Sequence, residues 1–292
     1  MTRLQANAML LSVAVIWGLA FVFQKTAMDH IGPFTFLAMR AIVAACVLAP
    51  IAFYEQSGRA DRPTADFWLI SCAGGLAFFI GGILQQIGLI TATVTNTGFL
   101  TGLYVVITPL LMWLVLKRPP VRLVWFAVGL AFVGTWLLGG GTIGGFSYGD
   151  WFVVASSLFW ATHILVIEHS GRHARPIGFT AFQFALVGVL SGAIALVVEA
   201  PTWMALWAAA LEIAYVGVLS SALTFTLLAV ALRHTAAAEA TIIVSTETVF
   251  AAIAGVLLLG EWLQPVGWAG AALMFSATLL VQLAPQRQRG GL

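Results

Sequence analysis

Apolar runs of about 20 residues alternate with short polar or Gly/Pro clusters from one end of the chain to the other. About 20 residues at 1.5 Å each is the helix length that crosses the 30 Å hydrocarbon layer of a bilayer. Breaking the chain at the clusters predicts spans at 6–26, 33–54, 67–90, 95–116, 121–139, 149–169, 177–198, 211–232, 236–259 and 265–284. The fold class expected is therefore an all-α polytopic membrane protein of ten transmembrane helices. The first run is longer than a signal-peptide core, contains Trp17 and lacks a small-x-small cleavage site, so it is expected to be a retained span. Composition agrees, with 61% hydrophobic and 8% charged residues where a soluble domain carries about 25% charged. The mean hydropathy is +1.01.

The stretch "LGGGTIGGFSYGD" joins spans five and six. No Gly-Lys-Ser/Thr follows its glycines and no strand precedes them, so it is a linker rather than a phosphate loop. It divides the chain into 1–140, a linker at 141–148, and 149–292. The two halves repeat. Trp17 and Trp160, Pro33 and Pro176, Gly74 and Gly217, and Trp125 and Trp268 are each separated by 143 positions. Each half has five spans, and an odd number starts the second half on the opposite side of the membrane. The halves are thus expected to be inverted repeats about an axis in the membrane plane, as in many secondary transporters.

Charge adds an orientation. Eleven of the 13 Lys and Arg residues lie on the N-terminal side, including Arg3, Arg59, Arg62, Arg172, Arg175, Arg287 and Arg289. Only Lys25 lies opposite, and Arg40 falls inside span two. The positive-inside rule puts both termini, and a short basic tail, in the cytoplasm.

Chemistry is sought near the midplane, where inverted repeats place their sites. Glu247 lies halfway along span nine, and its repeat mate 143 positions back is Tyr104, halfway along span four. A carboxylate at mid-membrane costs about 3 kcal/mol even on translocon scales and marks a functional position. Span four carries a polar stripe of Thr97, Thr101, Tyr104 and Thr108 at spacings of four, three and four, one face of a helix. Ser245 belongs to a neighbouring stripe on span nine. Trp17 and Trp160 are mid-span rather than interfacial, and His163 follows Trp160 by one turn. Arg40, the mate of Gln183, lies about 10 Å into span two, and Gln85 sits in the outer third of span three. Each also admits a structural role. Ser and Thr bond their own backbone in membrane helices, Trp packs, and Arg snorkels. Glu247 itself admits two functions, a proton-coupling site or a ligand group.

Other chemistry is not signalled. His169 and His173 in "HSGRH" lack a third ligand, and Cys46 and Cys72 lie in separate apolar spans. There is no nucleophile elbow, triad or zinc-protease motif, so neither a cofactor nor a nucleic-acid partner is expected. A membrane enzyme acting on a lipid-linked substrate would need such groups, and a channel would need a selectivity loop.

These features resemble the EamA branch of the drug/metabolite transporter superfamily. The resemblance rests on "WGLAFVFQK" in span one, the Arg of span two and "GLITATVTNTGFL" before span four. In the second half it rests on "GDWFVVASSLFWATHILV", "ALRHTAAAEATIIVSTETVFAAIAGVLLLGEWL" and "GWAGAALMFSATLLV". It implies a bacterial inner-membrane exporter of small metabolites, often amino acids, working by alternating access, with the YddG-type aromatic amino-acid exporters as near relatives. It also implies that spans three, four, eight and nine surround the central cavity. Two departures stand out: "STETVFAA" where the family commonly has a proline near Thr248, and "LKRPP" where many members have a glycine-glutamate turn.

Overall fold

The computed structural model describes residues 1–138, 147–262 and 264–282. Most of the glycine linker and the tail arginines Arg287 and Arg289 fall outside the described residues. All regular structure among the described residues is helical: α1 (Arg3–Ala27), α2 (Pro33–Ser57), α3 (Ala65–Leu89), α4 (Val94–Thr101), α5 (Tyr104–Leu114), α6 (Arg122–Leu138), α7 (Tyr148–Ser170), α8 (Pro176–Val198), α9 (Trp203–Ala208), α10 (Ala210–Ala214), α11 (Thr224–Ala231), α12 (Ala237–Val244), α13 (Glu247–Leu259) and α14 (Pro265–Gln282). A π-helical segment, Tyr215–Leu223, joins α10 to α11. Among the described residues eight helical segments are long and apolar enough to cross a membrane, and two shorter apolar helices, Arg122–Leu138 and Pro265–Leu280, accompany them. The molecule is a multi-span membrane protein.

Helix boundaries recur at the spacing found in the sequence. α2 and α8 both start on proline, Pro33 and Pro176, which is free there because the first helical N–H has no partner to lose. Likewise α4 and α12 start at Val94 and Ala237, α5 and α13 at Tyr104 and Glu247, and α6 and α14 at Arg122 and Pro265. Packing follows the same scheme. α2 lies against its mate α8 and α6 against its mate α14, while α3 with α7 mirrors α1 with α11.

Spans four and nine run over Val94–Leu114 and Ala237–Leu259. Each is interrupted near its middle, at Gly102–Leu103 and at Ser245–Thr246, by a tightened turn with bonds to the third residue back. Leu103 N–H donates to Leu100 O and Val105 N–H to Gly102 O, at 3.3 and 3.0 Å. Thr246 N–H donates to Ile243 O and Thr248 N–H to Ser245 O, at 3.3 and 3.1 Å. Such a turn inside a helix is a usual place for a hinge.

Helix ends are closed by charges from other helices. Glu199, after α8, accepts the N–H groups of Phe34 and Thr35 (2.9 and 2.7 Å) and the Thr35 hydroxyl (2.6 Å) at the start of α2. Gly32 leaves room for it, since a Cβ there would fall 2.2 Å from the Glu199 carboxyl carbon. Reciprocally, Glu55 on α2 accepts the Gly178 N–H of α8 at 2.8 Å. Glu261 caps α4 through Val94 and Thr95. Lys25 closes the C-terminus of α3, donating to Leu89 O, Ile90 O and Ala92 O at 2.7–3.1 Å. These charges suit the helix dipole at each end. Glu199→Ala strips three bonds from one cap and should cost about 1–2 kcal/mol, read as a melting temperature lower by roughly 3–6 °C in detergent.

At the end of the bundle that carries the N terminus, ion pairs join loops and helix starts. Arg3 meets Glu239 at 2.8 Å, Arg175 meets Asp61 at 2.7 Å, and Arg172 and His173 meet Asp66. The Arg175 hydrogen bond holds the Asp61 carboxyl below the ordinary carboxylate range. A depressed carboxylate keeps its contribution above its unfolded value, about 3.9, and loses it only as pH falls below that. This contact is therefore constant across pH 5–8.

Candidate functional site

The two interrupted spans meet at the centre of the molecule. Tyr104 and Glu247 are the first residues of α5 and α13, directly after each tightened turn. The Tyr104 hydroxyl donates to Glu247 Oε1 at 2.9 Å, joining two residues 143 apart. Both are 2% exposed. A carboxylate in the first turn of a helix is favoured by the N–H groups presented there. Close approach of α1 holds α13 in place. At Gly18 a Cβ would fall 2.4 Å from Phe250 Cβ and 2.7 Å from Glu247 O, so only glycine lets the helices touch.

Glu247 and Tyr104 line a small chamber. Arg40, Gln24 and Gln85 line it too, and Trp17, Trp160, His163 and Phe225 supply aromatic surface. Its volume is about 40 Å³, room for roughly three waters at about 15 Å³ each on this measure. A larger solute enters only when the walls part.

Arg40 is 4% exposed. Its Nε–H donates to Ser221 Oγ and its Nη1 to Gln24 Oε1, both at 3.1 Å. Its guanidinium carbon stands 5.7 Å from the centre of the Phe78 ring, a cation–π distance. These bonds engage two of the five guanidinium N–H donors, and no carboxylate among the described residues pairs with it. Several other polar side chains are internally bonded. Gln85 Nε2 donates to Thr101 Oγ1 at 2.8 Å, Gln86 Nε2 to Gln24 O at 2.9 Å, and Trp17 Nε1 to Thr224 Oγ1 at 2.7 Å. Phe225 lies 4.7 Å from Trp17 and 6.3 Å from Trp160, ring centre to ring centre, and so bridges the repeat-related tryptophans.

Of the candidate residues, Glu247, Tyr104, Trp17, Trp160, Thr101, His163, Arg40 and Gln85 line this chamber. Thr97 and Ser245 do not. Their hydroxyls donate to Thr93 O and Ile242 O of their own helices at 2.8 Å, the backbone bonding open to Ser and Thr in membranes. Thr97→Val and Ser245→Ala should each leave initial transport rates within about twofold of wild type, given that such exchanges remove one intrahelical bond. Sequence reasoning missed Gln24, Phe21, Ser220, Ile164 and Phe225 as lining residues. Gln24 adjoins Lys25 and passes for a span end. Ser220 and Thr224, four apart on span eight, were the available signal for the partner of Trp17.

Buried polar groups around a small chamber, in a helical bundle built to cross a bilayer, define the class: a membrane transporter. The chain belongs to the EamA-like transporter family, whose model matches residues 4–140 and again 147–283. It is 32% identical over 290 residues, 96% of this chain and 87% of the relative, to an uncharacterized transporter of Archaeoglobus fulgidus. It is 24% identical over 283 residues, 96% of this chain and 94% of the relative, to the uncharacterized transporter YwfM of Bacillus subtilis. A solved crystal structure superposes with a TM-score of 0.77 at 14% identity, covering 97% of this chain and 98% of the other, a likeness of fold.

Proposed function

We propose that the protein is a secondary transporter of the bacterial inner membrane. It exports small organic metabolites, amino acids foremost and aromatic or hydrophobic ones among them, by alternating access around this chamber. In this reading ten helices form two inverted repeats, 1–140 and 149–292, about a linker at 141–148, with both termini cytoplasmic. The recurrence of helix boundaries at 143 residues, the family model matching twice and the basic excess on one side support it. The tightened turns of spans four and nine are the hinges, since they sit beside the chamber and interrupt both spans at repeat-related positions.

One observation carries the substrate class. A buried carboxylate and a buried guanidinium line the same chamber without pairing, which complements a zwitterion. Glu247, steadied by Tyr104, takes the ammonium group. Arg40 takes the carboxylate, and Trp17, Trp160 and Phe225 hold the side chain. The same carboxylate supports a second reading, exchange of a metabolite against protons through Glu247.

The test is efflux of radiolabelled amino acids from proteoliposomes with and without a pH gradient. Movement of aromatic or apolar amino acids supports the reading, and accumulation driven by the gradient selects the proton-coupled form. Movement of none removes amino acids as the substrate class.

A further inference from the structure

The two tryptophans of the chamber are repeat mates with unlike polar surroundings. Trp17 Nε1 donates to Thr224 Oγ1 at 2.7 Å and to Ser220 O at 3.0 Å. The position equivalent to Thr224 in the first repeat, 143 residues earlier, is Gly81. Trp160 lies over that glycine, where a Cβ would stand 3.5 Å from its Cδ2 and Cε2 atoms. The hydroxyl that anchors Trp17 is thus absent beside Trp160, and the buried Trp160 Nε1 has no hydrogen-bond partner among the described residues.

A second buried polar atom lies one turn away. His163 Nε2 stands 2.8 Å from Gln183 Oε1. With the Gln183 carboxamide turned this way its oxygen accepts, the proton sits on Nε2 and Nδ1 is left as an acceptor, while Gln183 Nε2 is itself buried without a partner. Nδ1 is buried without a partner. The ring is fixed edge-on against Phe78, Phe225 and Trp160, at 5.4, 5.6 and 6.0 Å between centres. Trp160 and His163 both line the chamber. Two lining residues therefore carry an unmatched donor, Trp160 Nε1, and an unmatched acceptor, His163 Nδ1, with Gln183 Nε2 unmatched behind them, although native proteins pair nearly all buried polar atoms.

From this we infer that Trp160 and His163 form a subsite for an uncharged substrate group that both accepts and donates a hydrogen bond, a carboxamide or a hydroxyl. Gln183 is a positioning residue that sets the His163 tautomer. The inference rests on the amino-acid reading above and narrows it: the favoured side chain is apolar along its length and ends in such a group. An apolar side chain of the same length leaves both atoms unmatched, and sites that hydrogen-bond their ligand reject analogues lacking the bond.

The experiment uses the purified full chain in detergent and records the rise in melting temperature against concentration for L-glutamine and for L-methionine, similar in length. Wild type should half-saturate with glutamine at about tenfold lower concentration, the equivalent of one modest hydrogen bond. Trp160→Phe keeps the aromatic wall but removes the donor, and Gly81→Ser returns a hydroxyl acceptor beside it. Each should bring the ratio to within about twofold, whatever the absolute affinities. Should Gly81→Ser fail to fold, its new Cβ being 3.1 Å from Phe159 Cβ, Trp160→Phe decides alone. A wild-type ratio near one, or a tenfold ratio that persists in the variants, overturns the subsite while leaving the amino-acid reading intact. Stabilisation by neither compound also overturns the subsite, and the efflux test above then decides the amino-acid reading.

Discussion

Glu247→Gln is expected to abolish transport, lowering the initial efflux rate at least about 100-fold, while the protein melts no lower than wild type. Glutamine keeps the size of the side chain and an Oε1 acceptor for Tyr104, whose bond at 2.9 Å can persist. What disappears is the ionisable carboxyl group. A carboxylate at mid-membrane costs about 3 kcal/mol, so its removal does not weaken the fold. For transport, a charge-assisted bond to an ammonium group contributes about 1.5–3 kcal/mol, and about 2.7 kcal/mol is 100-fold in rate. Tyr104→Phe removes the hydroxyl that donates to the carboxylate and should slow efflux about tenfold, a neighbour's share of the same interaction. Both are measured in proteoliposomes loaded with labelled substrate, beside the melting curve of each variant. Unchanged kinetics in both would remove Glu247 from the mechanism. A fall in melting temperature proportional to lost activity would make its role structural.

The pairing of Tyr104 with Glu247 is legible in the sequence, because internal repetition names the mate of every residue and these two mates touch. Many of the helix boundaries are legible for a related reason. Hydrophobic length is fixed by the bilayer, and Pro33 and Pro176 mark their helix starts unambiguously. The interruptions at Gly102–Leu103 and Ser245–Thr246 are not, since glycine and serine are common inside membrane helices and no proline stands at either turn. Nor is the π segment at Tyr215–Leu223, whose mate in α3 is ordinary α-helix. Those departures are set by tertiary packing around the chamber and not by local propensity. Thr97 and Ser245 show the limit of helical periodicity. A stripe identifies the face of a helix, but a tightened turn in the middle rotates one half relative to the other, and the hydroxyls then settle on their own backbone. Gln24 shows the opposite error. Its neighbour Lys25 fixes the apparent end of the span, although Gln24 turns inward to hold Arg40.

Arg40 provides the second large effect. Arg40→Met should weaken transport of a zwitterionic amino acid by about 100-fold, chiefly in half-saturating concentration, with the fold preserved. Methionine matches the unbranched stem, and exchanging a buried charged side chain for an apolar one of similar volume is often neutral or stabilising. Ser221, released from the guanidinium, can turn to a carbonyl of its own helix as Ser156, Ser170 and Ser245 do. The loss in transport has a different origin: three N–H donors and a positive charge on a side chain only 4% exposed, where a forked contact with a carboxylate is strong. Arg40→Lys keeps the charge and loses the fork, and should fall between, at about tenfold. The decisive comparison is between an amino acid and the amine that lacks its carboxylate. Wild type should favour the amino acid by about 100-fold and Arg40→Met by less than about threefold, because the variant no longer offers the carboxylate a partner. If Arg40 instead served only to join α1, α2 and the π segment through Gln24 and Ser221, the variant would melt lower and would lose transport of both compounds alike. The ratio between the two substrates, unlike the absolute rate, separates a ligand from a strut.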